Sequence, residues 1–476
     1  MKKYKFACIA DLYFFSAFSS YTLSKRLIIS EEVLKMMMWD DFYEFIEEAP
    51  TIFLEDIREG NPRAFTRKRK TTPLKLMLQM FSQKGLSQFS ELLNFYSVQN
   101  KPLDVSTVAF YKARMKFNPK ALHLMMEDYL SMAYEKYNDK LVKLNGYIVT
   151  AIDGSDIILP STEETIEIYG VNKPNQAIST VMAKISLLYD CINKVALDTC
   201  IEPYKFSERE CASQHLNQLK KILRQPTITT FDRGYFSMKL IDQMIENNQK
   251  FIIRMDKQNL KRYTGTLVSG EDRTVDVQFN RVETNKYREN RSFRTKLMNT
   301  TYTLRFVKIP LVRGTTGETY DELLLTNLTP DEFSLEGLKE LYRLRWEIET
   351  AYNILKNRMK LEEFSGIRDW LIRQDIYCCV WLYNLIMLYI IELNETEGIP
   401  QERYKHEMRR NISISIGVVK TYFIQSILGN TPEKRHESVE RMSELIKQHL
   451  IPVRPDRIAK RHHTINKSRR SYRYTY

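Results

Sequence analysis

Asp153 and Asp232 each follow directly on a short apolar run with strand character, residues 147–152 and 227–231, and a glycine follows each within two residues. This places a carboxylate where the chain leaves a sheet and turns tightly. Carboxylates at the ends of adjacent strands can converge on one cation. A single aspartate at a strand end ordinarily serves as a turn or cap residue, and Asp156, Asp190 and Asp198 compete for the first position. The third acid lies on a helical pattern that begins after Ser334. At 100° per residue, Tyr342, Arg345, Glu349 and Lys356 share one narrow stripe, with Glu347 on the opposite side. A carboxylate flanked by cations and a phenol suits a metal ligand beside phosphate contacts. An exposed helix laced by the Arg345/Glu349 pair, four residues apart, accounts for the same pattern.

The elements that must position these residues follow from periodicity. Residues 1–140 read as helical, a DNA-binding domain in which Arg67, Lys68, Arg69 and Lys70 precede a helix start at Pro73, and short helical patterns begin near Ser87 and Ser106. That spacing fits a helix-turn-helix variant or a plain helical packing domain with a basic edge. Residues 141–257 alternate strand and helix, with 185–189 and 195–201 as a hairpin, which gives a mixed sheet with helices on it. Residues 258–333 read as a β-rich insertion, 334–395 as the helical remainder of the core, and 396–476 as a helical region with a basic tail.

Lys and Arg number 72 against 59 Asp and Glu, a formal net charge of +13, and such an excess favours polyanions. Over half of it sits after residue 453, where eight basic residues, Arg469 and Arg470 among them, interleave with Tyr472, Tyr474 and Tyr476 against Asp456 alone. Phosphate neutralisation with stacking suits that composition, as does a solvated tail. Six cysteines without a CxxC pair indicate neither a zinc ribbon nor a disulfide framework and fit a reducing cytoplasm. The lysine-led N-terminus is broken by Asp11 and does not read as a secretory leader. Residues 376–393 approach the length of a membrane span but carry Asn384 and Glu392, so a buried helix and no membrane association are expected. Of seven His, only His462 and His463 adjoin, which gives no zinc-ligand spacing.

Three segments carry a resemblance: "AIDGSD" at 151–156, "TTFDRGYFS" at 229–237 and "YRLRWEIETAYNILK" at 342–356. The last fits the Y-x2-R-x3-E-x6-K signature of the DDE transposases of the insertion-sequence-four group, which have a ribonuclease-H-like catalytic core. "KGLSQFSELL" and "VSTVAFYKAR" also look like that group's N-terminal region. The resemblance implies an α/β fold, with a ribonuclease-H-like mixed sheet and flanking helices, a β-rich insertion and a helical N-terminal domain. It implies Asp153, Asp232 and Glu349 as catalytic, metal-holding residues, and Tyr342, Arg345 and Lys356 as phosphate contacts. It further implies two Mg²⁺ or Mn²⁺ ions, double-stranded DNA as substrate (element terminal repeats and target) and a homodimer in the DNA complex, in a bacterial cytoplasm at the nucleoid. Some relatives hold a flipped base with a Trp of the insertion; here Trp39, Trp346, Trp370 and Trp381 all lie elsewhere.

The reaction so implied is cut-and-paste transposition, in which phosphodiester hydrolysis frees a 3′-OH that then attacks target DNA. Two metals roughly 3.5–4 Å apart serve the attacking and leaving oxygens of such an in-line displacement. The alternatives are a ribonuclease-H-like endonuclease without strand transfer and a non-catalytic DNA-binding relative.

Overall fold

The computed structural model describes residues 37–453 apart from Lys68, 173–178, 313–316 and Asn430. Lys68, Arg469, Arg470, the rest of the basic tail and the lysine-led N-terminus lie outside the described residues.

Among the described residues six helices come first: α1 (Met37–Ile52), α2 (Leu54–Ile57), α3 (Pro73–Phe81), α4 (Gln88–Ser97), α5 (Thr107–Arg114) and α6 (Pro119–Lys136). Local signals start them. Thr72, Ser87 and Ser106 each accept from the backbone amide three residues on, and Pro73 and Pro119 fill first-turn positions where no amide hydrogen is needed. Glu91 closes the turn before α4 by accepting from the amides of Lys84, Gly85 and Leu86 at 2.7–2.8 Å.

The chain then alternates: β1 (Ile148–Ile158), α7 (Glu163–Tyr169), β2 (Val171–Asn172), β3 (Thr180–Asp190), β4 (Val195–Pro203), α8 (Glu208–Ile222), β5 (Thr227–Phe231), α9 (Met238–Glu246) and β6 (Lys250–Arg254). The strands lie in the order β4-β3-β1-β5-β6, with β3 antiparallel to both neighbours and β1, β5 and β6 parallel. An antiparallel trio continued by two parallel strands, each reached through a helix, is the ribonuclease-H-like arrangement. The expected hairpin is β3 and β4, and the buried Asp190 caps its turn by accepting from the amides of Ile192 and Asn193.

Residues 258–333 contribute α10 (Lys261–Thr264), β7 (Asp272–Val277), α11 (Arg291–Asn299), β8 (Tyr302–Val312) and β9 (Thr319–Thr326). β9 pairs with β6, β8 with β9 and β7 with β8, all antiparallel, so these strands prolong the core sheet.

After it come α12 (Leu335–Arg343), α13 (Trp346–Asn357), α14 (Asp369–Thr396), β10 (Met408–Arg410), α15 (Ile412–Leu428), α16 (Pro432–Gln448) and β11 (Leu450–Pro452). The sequence pattern predicts one helix over 335–360, whereas the structure breaks it at Leu344 and Arg345. Their amides bond three residues back, to Leu341 and Tyr342, which tightens the turn.

The apolar helix α14 is the central strut of the fold, with 83% of its most apolar window buried. Trp381 packs edge-on against Phe42, Phe45 and Phe81 from α1 and α3. The two polar residues that interrupt the apolar stretch of α14, Asn384 and Glu392, have structural partners. Asn384 bonds both the amide and the carbonyl of Ala196, at 2.8 and 2.7 Å, beside the bulge that interrupts β3 and β4. Glu392 accepts from the Met38 amide at the start of α1.

Candidate active site

β1 and β5 run parallel, and their last paired residues are Ala151 and Thr230. Two residues further along both chains stand Asp153 and Asp232. Asp232 directly follows β5 as expected, but Asp153 is not at a strand end, because β1 continues in pairing with β3 past Asp153 and Gly154 to Ile158. The register therefore brings the two carboxylates level on neighbouring strands, which a sheet spaces about 4.8 Å apart. In the same way Phe231 pairs with Ile253 on β6, and the next residues are Asp232 and Arg254, whose Nη1 lies 3.7 Å from Asp232 Oδ1. Arg254 Nε also meets Glu322 of β9 at 3.2 Å.

Glu349 comes from the first turn of α13 and pairs with Arg345 Nη2 at 3.2 Å. Arg345 is 4% exposed, yet the charges of Asp232, Glu349 and Asp153 all act on it. The buried guanidinium thus pairs directly with Glu349 and feels the charges of the other two acids. The oxygens of the three acids do not all lie within 4.8 Å of one another, as expected of like charges that repel. Burial pushes the Asp153 carboxyl up to about 6; the Gly154 amide, 2.9 Å away, and Arg345 oppose that, while Glu208 and Glu349 add to it.

The three acids fit a hard divalent cation. Asp232 Oδ1 is buried and, with Arg254 Nη1 3.7 Å away, accepts no hydrogen bond, which leaves an acceptor that a closely bound cation would satisfy. Carboxylate oxygens are the donors that Mg²⁺ and Mn²⁺ prefer.

Tyr342 and Lys356 flank the acids but are tied to the sheet. Tyr342 is 3% exposed, and its hydroxyl donates to the Phe231 carbonyl, directly before Asp232, at 3.4 Å. Lys356 Nζ donates to Ser155 Oγ at 2.7 Å and to the Asp156 carbonyl at 2.6 Å. Arg67, Arg69 and Lys70 are exposed on the loop between α2 and α3, where Lys70 lies 4.0 Å from Asp104.

The competing acids are occupied elsewhere. Asp156 pairs with Lys184 at 3.3 Å, and Glu347 turns away to Lys194 at 2.7 Å. Asp198 belongs to a buried cluster: its oxygens meet His123 Nε2 at 2.8 Å and His215 Nδ1 at 2.7 Å, and His215 Nε2 meets Ser186 Oγ at 3.0 Å. Cys200 and Glu127 stand close enough to make metal-sized groups with these residues. Each imidazole bonds the Asp198 carboxylate, however, which gives these polar groups protein partners inside the fold. Adjacent spacing in the sequence could not find this cluster, because its members come from α6, β3, β4 and α8.

Sequence reasoning also missed Arg254, Glu322, Glu208 and Tyr352. Arg254 was findable as the residue ending the strand after Asp232. Glu208 approaches over Gly154, where an added Cβ would meet its Oε1 at 3.3 Å; only the packing of α8 reveals that.

Seventy residues are 36% identical to a putative transposase, InsL for insertion sequence element IS186A of Escherichia coli, over 15% of this chain and 18% of that one. A longer stretch of 172 residues is 22% identical to a putative transposase for insertion sequence element IS4SA of Synechocystis sp., over 34% and 41%. The chain thus spans under half the length of these relatives. Among solved structures it aligns with the cryo-EM structure of a piggyBac transposase synaptic complex with hairpin DNA, at 10% identity and a TM-score of 0.41, over 87% of this chain and 85% of that one. Residues 144–385, just over half of the 476, match the transposase DDE domain. That span begins just before β1 and ends within α14, so it takes in Asp153, Asp232 and Glu349 together with the sheet and helix that bear them, and the chain belongs to the transposase DDE domain family.

Proposed function

We propose that this protein is a transposase that cuts an insertion element from double-stranded DNA and joins its ends to a target. One observation carries the reading: Asp153 within β1, Asp232 directly after β5 and the helical Glu349 all act by their charge on a single buried arginine. Asp153, Asp232 and Glu349 would hold two divalent ions, Mg²⁺ or Mn²⁺, which when bound activate the attacking oxygen and stabilise the leaving one.

The rest falls to the chain's own residues. Hydrolysis breaks a P–O bond at the element end and frees a 3′-OH; that hydroxyl then attacks a target phosphodiester, forming one P–O bond as another breaks. Arg345 would neutralise charge on the reacting phosphate, and Lys356, with Tyr342, would hold the carboxylate-bearing elements together beside it. The exposed Arg67, Arg69 and Lys70, with Lys68, suit phosphate contacts along the duplex, as do Arg469 and Arg470 in the tail. Two element ends brought together call for two copies of the chain, working in the cytoplasm at the nucleoid.

The test is to incubate the protein with Mg²⁺, end-labelled duplexes carrying the termini of its own element and a supercoiled plasmid. Labelled ends joined to plasmid are expected. Cutting without joining would make the protein an endonuclease, and binding without cutting would make it a non-catalytic DNA-binding relative.

A further inference from the structure

Tyr352 lies three residues after Glu349 on α13 and is buried. Its hydroxyl donates to the carbonyl of Asp153 at 2.8 Å and lies 3.1 Å from the carbonyl of Ile185 on β3. The helix that carries one acid is thereby fastened to the peptide of another. Ser186 Oγ reaches the same Asp153 carbonyl at 3.3 Å, and His215 and Asp198 stand behind it.

We propose that Tyr352 is a positioning residue whose hydroxyl sets the spacing between Glu349 and Asp153 for metal binding. This rests on the transposase reading above. Carboxylates that share cations must be held to within about 0.5 Å, and a helix fixed only by apolar packing has no contact that directional. Tyr389 makes a useful comparison: it is another buried tyrosine, donating to the Val439 carbonyl at 3.1 Å, on α14 and against α16.

The experiment titrates the full chain with Mn²⁺, followed by electron paramagnetic resonance, and measures kcat and KM for cleavage of element-end DNA. Tyr352→Phe keeps the ring and removes the hydroxyl. Its Mn²⁺ affinity is expected to fall about 10-fold, with kcat lowered, KM for DNA unchanged and the melting temperature within a few degrees of wild type. Tyr389→Phe is expected to match wild type in Mn²⁺ affinity and kcat. Wild-type affinity and kcat in Tyr352→Phe, or equal losses in the two variants, would overturn the proposal. Should Tyr352→Phe not fold, Ser186→Ala removes the second donor to the same carbonyl; a smaller loss of affinity supports the proposal and none overturns it. Asp153→Asn separates the two layers: if it binds Mn²⁺ like wild type, the site reading itself falls and the positioning role with it.

Discussion

The guanidinium of Arg345 lies 3.2 Å from the carboxylate of Glu349, buried where the charges of Asp153 and Asp232 also act on it. It offsets part of the mutual repulsion of the three acids, and it is the cation that bound metals would work beside. Arg345→Ala removes a positive charge from the reacting phosphate and is expected to lower cleavage about 100-fold. The same change removes a competitor for the carboxylates, so Mn²⁺ affinity above pH 7 should rise. Single-turnover cleavage and Mn²⁺ titration check the two halves; a fall in both would mean that Arg345 mainly shapes the site.

Metal affinity should depend on pH through Asp153. Its carboxyl is raised from 3.8 to about 6, chiefly by burial, so the fold favours the protonated form and the ionised form costs stability as pH rises from about 4 to 6. Metal binding needs the ionised form. Mn²⁺ affinity is therefore expected to be flat above about pH 7 and to fall steadily below pH 6, readable by calorimetry at a series of pH values.

Glu392 predicts a stabilising substitution. It is 1% exposed, one of its oxygens has no partner, and burial pushes its carboxyl from 4.5 up to about 7. A folded-state value above the unfolded one gives stability that is present below about pH 4.5 and lost as pH rises through 7. Glu392→Gln keeps the acceptor for the Met38 amide without the charge. Thermal unfolding at pH 8 should show a gain on the order of 3 kcal/mol at most, and at pH 4.5 no difference.

How much of this was legible in the sequence differs from residue to residue. Asp153 and Asp232 announced themselves because an apolar run ending in Asp before a glycine is a local pattern, and Glu349 because a helix repeats its face every 3.6 residues. The break at Leu344 and Arg345 was invisible, since both residues keep right-handed helical angles and only the hydrogen-bond spacing changes. The prolongation of the core sheet by β8 and β9 was equally hidden: strand character shows in a sequence, the neighbour a strand chooses does not. Asn384 and Glu392 looked like blemishes in an apolar helix until their partners, Ala196 and Met38, came from almost 190 and over 350 residues away.

The helical N-terminal region is joined to the core by Arg114, which is fully buried and bonds Gln374 at 2.8 Å, Asp375 at 2.7 Å, the Leu371 carbonyl at 3.1 Å and Ser365. Arg114→Met leaves Asp375 without its cation and is expected to cost about 3–5 kcal/mol. Urea unfolding measures it, and loss of protection at α5 in hydrogen exchange would place the damage at that joint.

The most direct test of the central claim is a crystal of the protein grown with Mn²⁺ and measured at an energy where manganese scatters anomalously. The account predicts anomalous peaks ligated by Asp153, Asp232 and Glu349. Manganese at His123, Asp198 and His215 instead, with the three acids left without a peak, would contradict it.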